Sequence, residues 1–139
     1  MGFLVKLDTN GQSPEILEWL FQEKLLDYVA MDIKCNYQNW EDLLGVKYEK
    51  QKYFQSIEMI KKSGIDYEFR TTLIKNYHTV QNFLSLIEQI SGAKKYFLQN
   101  YEWGNTLQKD FAGASFSSQE LLDFKNIAVP YVQQVSIRI

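Results

Sequence analysis

The residues able to do chemistry sit at the ends of two short apolar runs. Leu7 leads into Asp8, Thr9 and Asn10 before Gly11, and Val29–Ala30–Met31 leads into Asp32, Ile33 and Lys34. Each run is long enough for one buried strand, and ligands of parallel α/β sheets bind beyond the carboxyl ends of the strands. Carboxylates, a hydroxyl, an amide and an ammonium delivered to one sheet edge therefore describe part of a site as well as part of a scaffold. Residue types alone leave a second reading open, in which Asp8 and Asp32 end strands, cap turns or pair with Lys6 and Lys34. Arg70 lies in a third run and is open in the same way, with a lumen ion pair to Glu68 or Asp66 as its simplest role.

The elements that must position these residues follow from periodicity. Strands are expected over 3–7, 28–33, 65–73, 96–99 and 135–139, and helices over 14–24, 48–63, 80–90 and 117–127. Ser13 is an N-cap candidate followed by Pro14 at the first helical position. Trp19, Trp40 and Trp103 are expected to serve packing. Phe54, Ile57 and Ile60 mark the buried stripe of the second helix, and Gly64 ends it. Thr79 or His78 caps the third helix. Ser117 and Glu120 have capping-box spacing, and Pro130 closes the last helix. The segments 36–45 and 100–115 read as loops, the first with Trp40 and one helical turn.

The order β-α-β-α-β-α-β-α-β implies parallel strands joined by crossovers of one hand. In the first three strands the polar residues share one alternation phase: Lys6 and Asp8, Asp32 and Lys34, Arg70 and Thr72. Val5 and Leu7, Met31 and Ile33, Phe69 and Leu73 occupy the other. A doubly wound sheet covered on both faces would be apolar in both phases. The expected fold is thus α/β: a partial (β/α) TIM-like barrel of five mostly parallel strands, helices outside, with a polar lumen. Five strands cannot close such a barrel, so its N-terminal strands are expected to be missing.

The chain has 139 residues, 45% hydrophobic and 15% aromatic, enough for one domain over 1–139 with a real core. A net charge of -2 gives no sign of a nucleic-acid or anionic-membrane partner. No apolar run reaches the roughly 20 residues of a membrane span, and no leader with a cleavage site is expected. A strand starting almost at Met1 suggests that something belongs in front of it. The single cysteine, Cys35, excludes an internal disulfide, fits a reducing cytoplasm, and cannot by itself bind a multi-thiolate metal centre. It reads as an inert thiol.

Four stretches carry a resemblance: residues 2–11 (GFLVKLDTNG), 26–34 (LDYVAMDIK), 63–72 (SGIDYEFRTT), and Leu98 and Gln99 with 104–107 (GNTL). In order and spacing they resemble the C-terminal half of radical SAM activating enzymes. The likeness is greatest to the anaerobic ribonucleoside-triphosphate reductase activating proteins, relatives of the pyruvate formate-lyase activating enzymes. The resemblance implies a barrel that holds S-adenosylmethionine and a [4Fe–4S] cluster, and a glycyl radical enzyme such as anaerobic ribonucleotide reductase as partner. It implies that Asp8, Thr9 and Asp32, with the Ala30 carbonyl, surround a monovalent cation beside S-adenosylmethionine. Lys34 would meet its carboxylate, and Asn10 and Arg70 would complete the binding set. Where some relatives have a site histidine, this chain has Tyr101.

The family's CxxxCxxC segment has no counterpart in this sequence, so a cluster is not expected to be held, nor the chain to be active alone. The missing N-terminal half is then a required partner. Two other classes stay open: a non-catalytic interaction module, pairing with another copy through its exposed sheet edge, and a metabolite-binding domain with a divalent cation on Asp8 and Asp32.

Overall fold

The computed structural model describes residues 2–34, 47–102 and 113–138. Strands β1 (Lys6–Thr9), β2 (Tyr28–Asp32), β3 (Asp66–Leu73), β4 (Lys95–Asn100) and β5 (Gln134–Arg138) alternate with helices α1 (Pro14–Gln22), α2 (Lys50–Lys62), α3 (Val80–Glu88) and α4 (Ser118–Ala128). All neighbouring strands pair in parallel, and their spatial order is their chain order. A crossover of constant hand that always steps to the next strand leaves every helix on the same face. That is the partial barrel expected from the alternation.

The apolar phase faces the helices. Val29, Met31 and Ile33, Tyr67, Phe69 and Leu73, and Tyr96 and Leu98 are buried there with Leu17, Tyr53, Ile57, Ile60, Phe83, Leu86 and Phe124. Phe83 and Phe116 both meet Phe124 edge-on, with ring centroids 4.9 Å apart. Two hydroxyls in this layer are paired in series: that of Tyr96 donates to Thr71 Oγ1, and that of Thr71 donates to the Ile33 carbonyl. Burial pushes the Tyr96 phenol above its ordinary pKa.

Several local expectations change. β1 starts at Lys6, and Phe3 and Leu4 are 84% and 86% exposed, because no described strand lies outside β1 to cover them. Ser13 makes no side-chain cap, so α1 is started by Pro14 and by the Ser13 carbonyl, which accepts from Ile16 and Leu17. In α2 the buried aromatic is Tyr53, with Phe54 half-buried beside it. Trp19 is half-exposed rather than packed inside. Thr79 caps α3, and His78 serves otherwise. The capping box of Ser117 and Glu120 forms as expected. Cys35, Trp40, Trp103, the 36–45 loop and the 104–107 stretch lie outside the described residues in whole or in large part.

Candidate functional site

The face opposite the helices carries the other alternation phase. Near the carboxyl ends of β1, β2 and β3 it gathers Asp8, Asp32 and Arg70, with Lys34 just past β2. Asp32 and Arg70 are register partners on adjacent strands, and Arg70 Nε donates to Asp32 Oδ1 at 2.5 Å. Arg70 Nη1 reaches one strand further, to Asp8 Oδ1 at 2.7 Å. Ala30 is the register partner of Asp8, and its small side chain leaves the space between β1 and β3 open to that reach. Burial opposes the Arg70 charge, but Asp32 and Asp8 outweigh it and hold the guanidinium above its ordinary pKa. Lys34 Nζ lies 3.4 Å from Asp32 Oδ2 and is half-exposed, so its ammonium stays available to a second anion. Arg70 thus pairs with Asp8 and Asp32, not with Glu68 or Asp66 as the simplest sequence reading had it.

Glu68 and Asp66 have other partners. Glu68 is buried at the middle of the face, where Arg138 of β5 grips both its oxygens at 3.0 Å. The Tyr28 hydroxyl donates to it at 2.9 Å, and Lys6 of β1 stands 3.9 Å away. Burial raises the Glu68 pKa, but Arg138 and Tyr28 win and hold the carboxyl below its usual range. Burial and the same carboxylate push the Tyr28 phenol up. Arg138 also stacks on Phe97, 4.0 Å from the ring centre. Lys95 pairs with Asp66 at 2.7 Å. Reasoning from sequence missed Arg138, although β5 continues the same two-residue polar rhythm through Gln134, Ser136 and Arg138.

Two candidates serve the turn after β1. Thr9 is the register partner of Met31, in the buried apolar phase, and its hydroxyl accepts the Gly11 amide at 3.0 Å. Asn10 accepts the Gln12 amide at 3.0 Å and reaches the Tyr48 hydroxyl at 3.4 Å. His78 is buried, and both its ring nitrogens are used. Nδ1 accepts the Ile74 amide at 2.9 Å, which leaves Nε2 as the donor to the Lys34 carbonyl at 2.8 Å. The imidazole is therefore neutral and pins the backbone of Lys34 to the loop after β3. Burial lowers its pKa. Tyr101 is buried at the end of β4.

The donor set suits a charged organic ligand better than a metal cluster. Among the described residues, no three His, Cys, Asp or Glu side chains are placed to share a metal ion. The sequence holds one cysteine, and three thiolates are needed to leave a cluster iron open to a ligand. A [4Fe–4S] cluster does not fit this chain on its own.

No family model matches the sequence. Over 142 residues the chain is 30% identical to a protein of Methanocaldococcus jannaschii named "putative glycyl-radical enzyme activating enzyme", in an alignment that covers 99% of this chain. The chain spans 59% of that relative's length. The crystal structure of a domain of pyruvate-formate lyase-activating enzyme from Bacteroides vulgatus superposes with a TM-score of 0.77, covering 99% of this chain and 83% of that one. At 14% identity this likeness speaks for the fold alone. The fold of that domain thus occurs here in a chain with a single cysteine. No described helix is long and apolar enough to cross a membrane.

Proposed function

We propose that this chain is the S-adenosylmethionine-binding half of a glycyl-radical activating enzyme of the anaerobic ribonucleotide reductase type, acting in the cytoplasm. The observation that carries the reading is the convergence of Asp8, Asp32, Lys34 and Arg70 at one edge of three adjacent parallel strands. The half-exposed Lys34 ammonium is the natural partner for the carboxylate of the ligand. Asp32 orients both Lys34 and Arg70, and Asp8 holds the far side of Arg70. The two carboxylates also favour positive charge above them, either the sulfonium or a monovalent cation that shares them with Arg70. Thr9 and Asn10 support this edge by fixing the turn beyond it. When bound, S-adenosylmethionine supplies a sulfonium whose carbon–sulfur bond breaks on one-electron reduction. The thiolates that would hold a cluster belong to another segment, so the chain binds and orients the ligand without completing the reaction.

Calorimetric titration of S-adenosylmethionine into the chain and into an Asp32→Ala variant tests the reading. Weak binding that is lost in the variant is expected, because Asp32 positions both cations. Equal heats from the two proteins would overturn it. So would failure of a cysteine-bearing N-terminal piece, added anaerobically with iron, sulfide and reductant, to restore cleavage of S-adenosylmethionine.

A further inference from the structure

We propose that His78 is a positioning residue for the ligand's carboxylate, acting through the backbone of Lys34 and not by touching the ligand. This rests on the reading, given above, of Lys34 as the partner of that carboxylate.

The register of β2 on β3 ends with Asp32 opposite Arg70. Lys34 lies two residues further on. Its ammonium shares the face of Asp32 only if the backbone stays extended through Ile33, so that alternation carries over. Three bonds hold it so. The Ile33 amide donates to the Arg70 carbonyl at 2.8 Å. The Ile33 carbonyl accepts from the buried Thr71 hydroxyl, which itself accepts from Tyr96. The Lys34 carbonyl accepts from His78 Nε2 at 2.8 Å. Beyond Asp32, side chains thus give these two carbonyls the donors that backbone amides supply within a ladder.

His78 can serve this way because its ring is fixed on both sides. The Tyr77 and His78 amides donate to the Ile74 carbonyl at 3.0 and 2.8 Å, closing a turn after β3, and the Ile74 amide donates to Nδ1 at 2.9 Å. Nδ1 also lies 3.3 Å from the Ile74 carbonyl, but that oxygen already takes the two amides. With Nδ1 an acceptor, the ring proton sits on Nε2 and points at Lys34. The imidazole is buried, so the bond is shielded from water. It ties the turn to a residue 44 places earlier, whose half-exposed ammonium stands 3.4 Å from Asp32. Freed of that bond, the Lys34 backbone must find another donor and the ammonium shifts with it.

Two substitutions split the two bonds of the ring. In His78→Gln the side-chain amide reaches where Nε2 lies and keeps the donor to Lys34, while the Ile74 amide loses its acceptor. In His78→Asn the shorter amide reaches only where Nδ1 lies, so the turn is kept and the Lys34 carbonyl is released. Calorimetric titration of S-adenosylmethionine, with amide hydrogen exchange on the unliganded chains, reads the outcome. Affinity should fall about tenfold in His78→Asn and stay within about twofold of the parent in His78→Gln. Exchange should rise at Ile33 in His78→Asn and at Ile74 in His78→Gln. The loss in His78→Asn should vanish in a Lys34→Ala background, because the ring reaches the ligand only through that side chain. A histidine that merely steadies its own turn would give the reverse, with affinity spared in His78→Asn and lowered in His78→Gln. That pattern, or a loss that persists without Lys34, overturns the proposal. Should His78→Asn not fold, His78→Gln decides, and an affinity about tenfold below the parent's overturns it. A parent chain that gives no heat overturns the ligand reading and this proposal with it. A parent that binds no better than His78→Asn overturns this proposal alone.

Discussion

Arg70 satisfies carboxylates on two different strands with two of its nitrogens, which only a forked, planar cation can do. Replacing it with Lys should therefore rescue little of what Ala loses, about 1–2 kcal/mol in either case, measured by chemical denaturation. A Lys variant as stable as the parent would mean that charge alone suffices. His78 gives a pH signature. Its imidazole is buried and neutral, so the folded chain resists the proton that the unfolded chain takes up near 6.5. The unfolded state then binds more protons below that pH, and stability falls as the pH drops. Thermal midpoints should decline from pH 7 toward 5, and His78→Gln should flatten that decline while lowering the midpoint at pH 7. Glu120, brought down to about 2 by Lys75 and the Ser117 cap, loses its contribution only at much lower pH, so the two effects separate. Alternation made Asp8, Asp32, Lys34 and Arg70 legible as one set before any coordinates. Thr9, expected in the same set, lies instead on the helix-facing side with Met31, since neighbours in a strand must point apart. His78 was hidden because nothing local marks a histidine whose partner lies 44 residues away.

Glu68 fastens the outer strands to the middle one, with Lys6 on β1 and Arg138 on β5 both turned toward it. Glu68→Gln should cost about 2 kcal/mol, because it weakens a charge-assisted pair and the Tyr28 bond in a buried place. Arg138 and Lys6 are half-exposed and can return to water, which keeps the loss from being larger. Denaturant midpoints check this, and a change within error would make the cluster ornamental. The turn from β1 to α1 depends on Gly11, at φ +78°, where an added Cβ would crowd the end of the buried Met31. Ser56 holds the same turn by donating to the Gly11 carbonyl at 2.9 Å. Gly11→Ala should cost about 1–3 kcal/mol, and Gly64→Ala, with similar φ but open space, about 1 kcal/mol. Caps and glycines carry their signal in a few neighbouring residues, which is why Ser117–Glu120 and Gly64 were readable. The start of β1 was not, because Phe3 and Leu4 look like a buried strand unless the absence of a neighbour is known.

At the scale of the molecule, the one-sided sheet was visible in the sequence because a polar phase recurring in three successive strands leaves helices only one face to cover. The Arg138–Glu68 link was not, since it joins residues 70 apart and skips a strand. Chain order and strand order coincide, so β1 and β5 never meet and no ladder joins one end of the chain to the other. Each strand docks on its predecessor. Amide hydrogen exchange should be slowest in β3, flanked on both sides, and fastest in β1 and β5; a strand at either edge that outlasts β3 would contradict this. The kinetics follow from the same arrangement. Assembly is growth from a centre, each step closing only the loop of one crossover, and loss proceeds from either edge inward. A protein of this design can gain or lose a strand-and-helix unit at its margin without rethreading the rest, as a staircase can lose its last step and still stand.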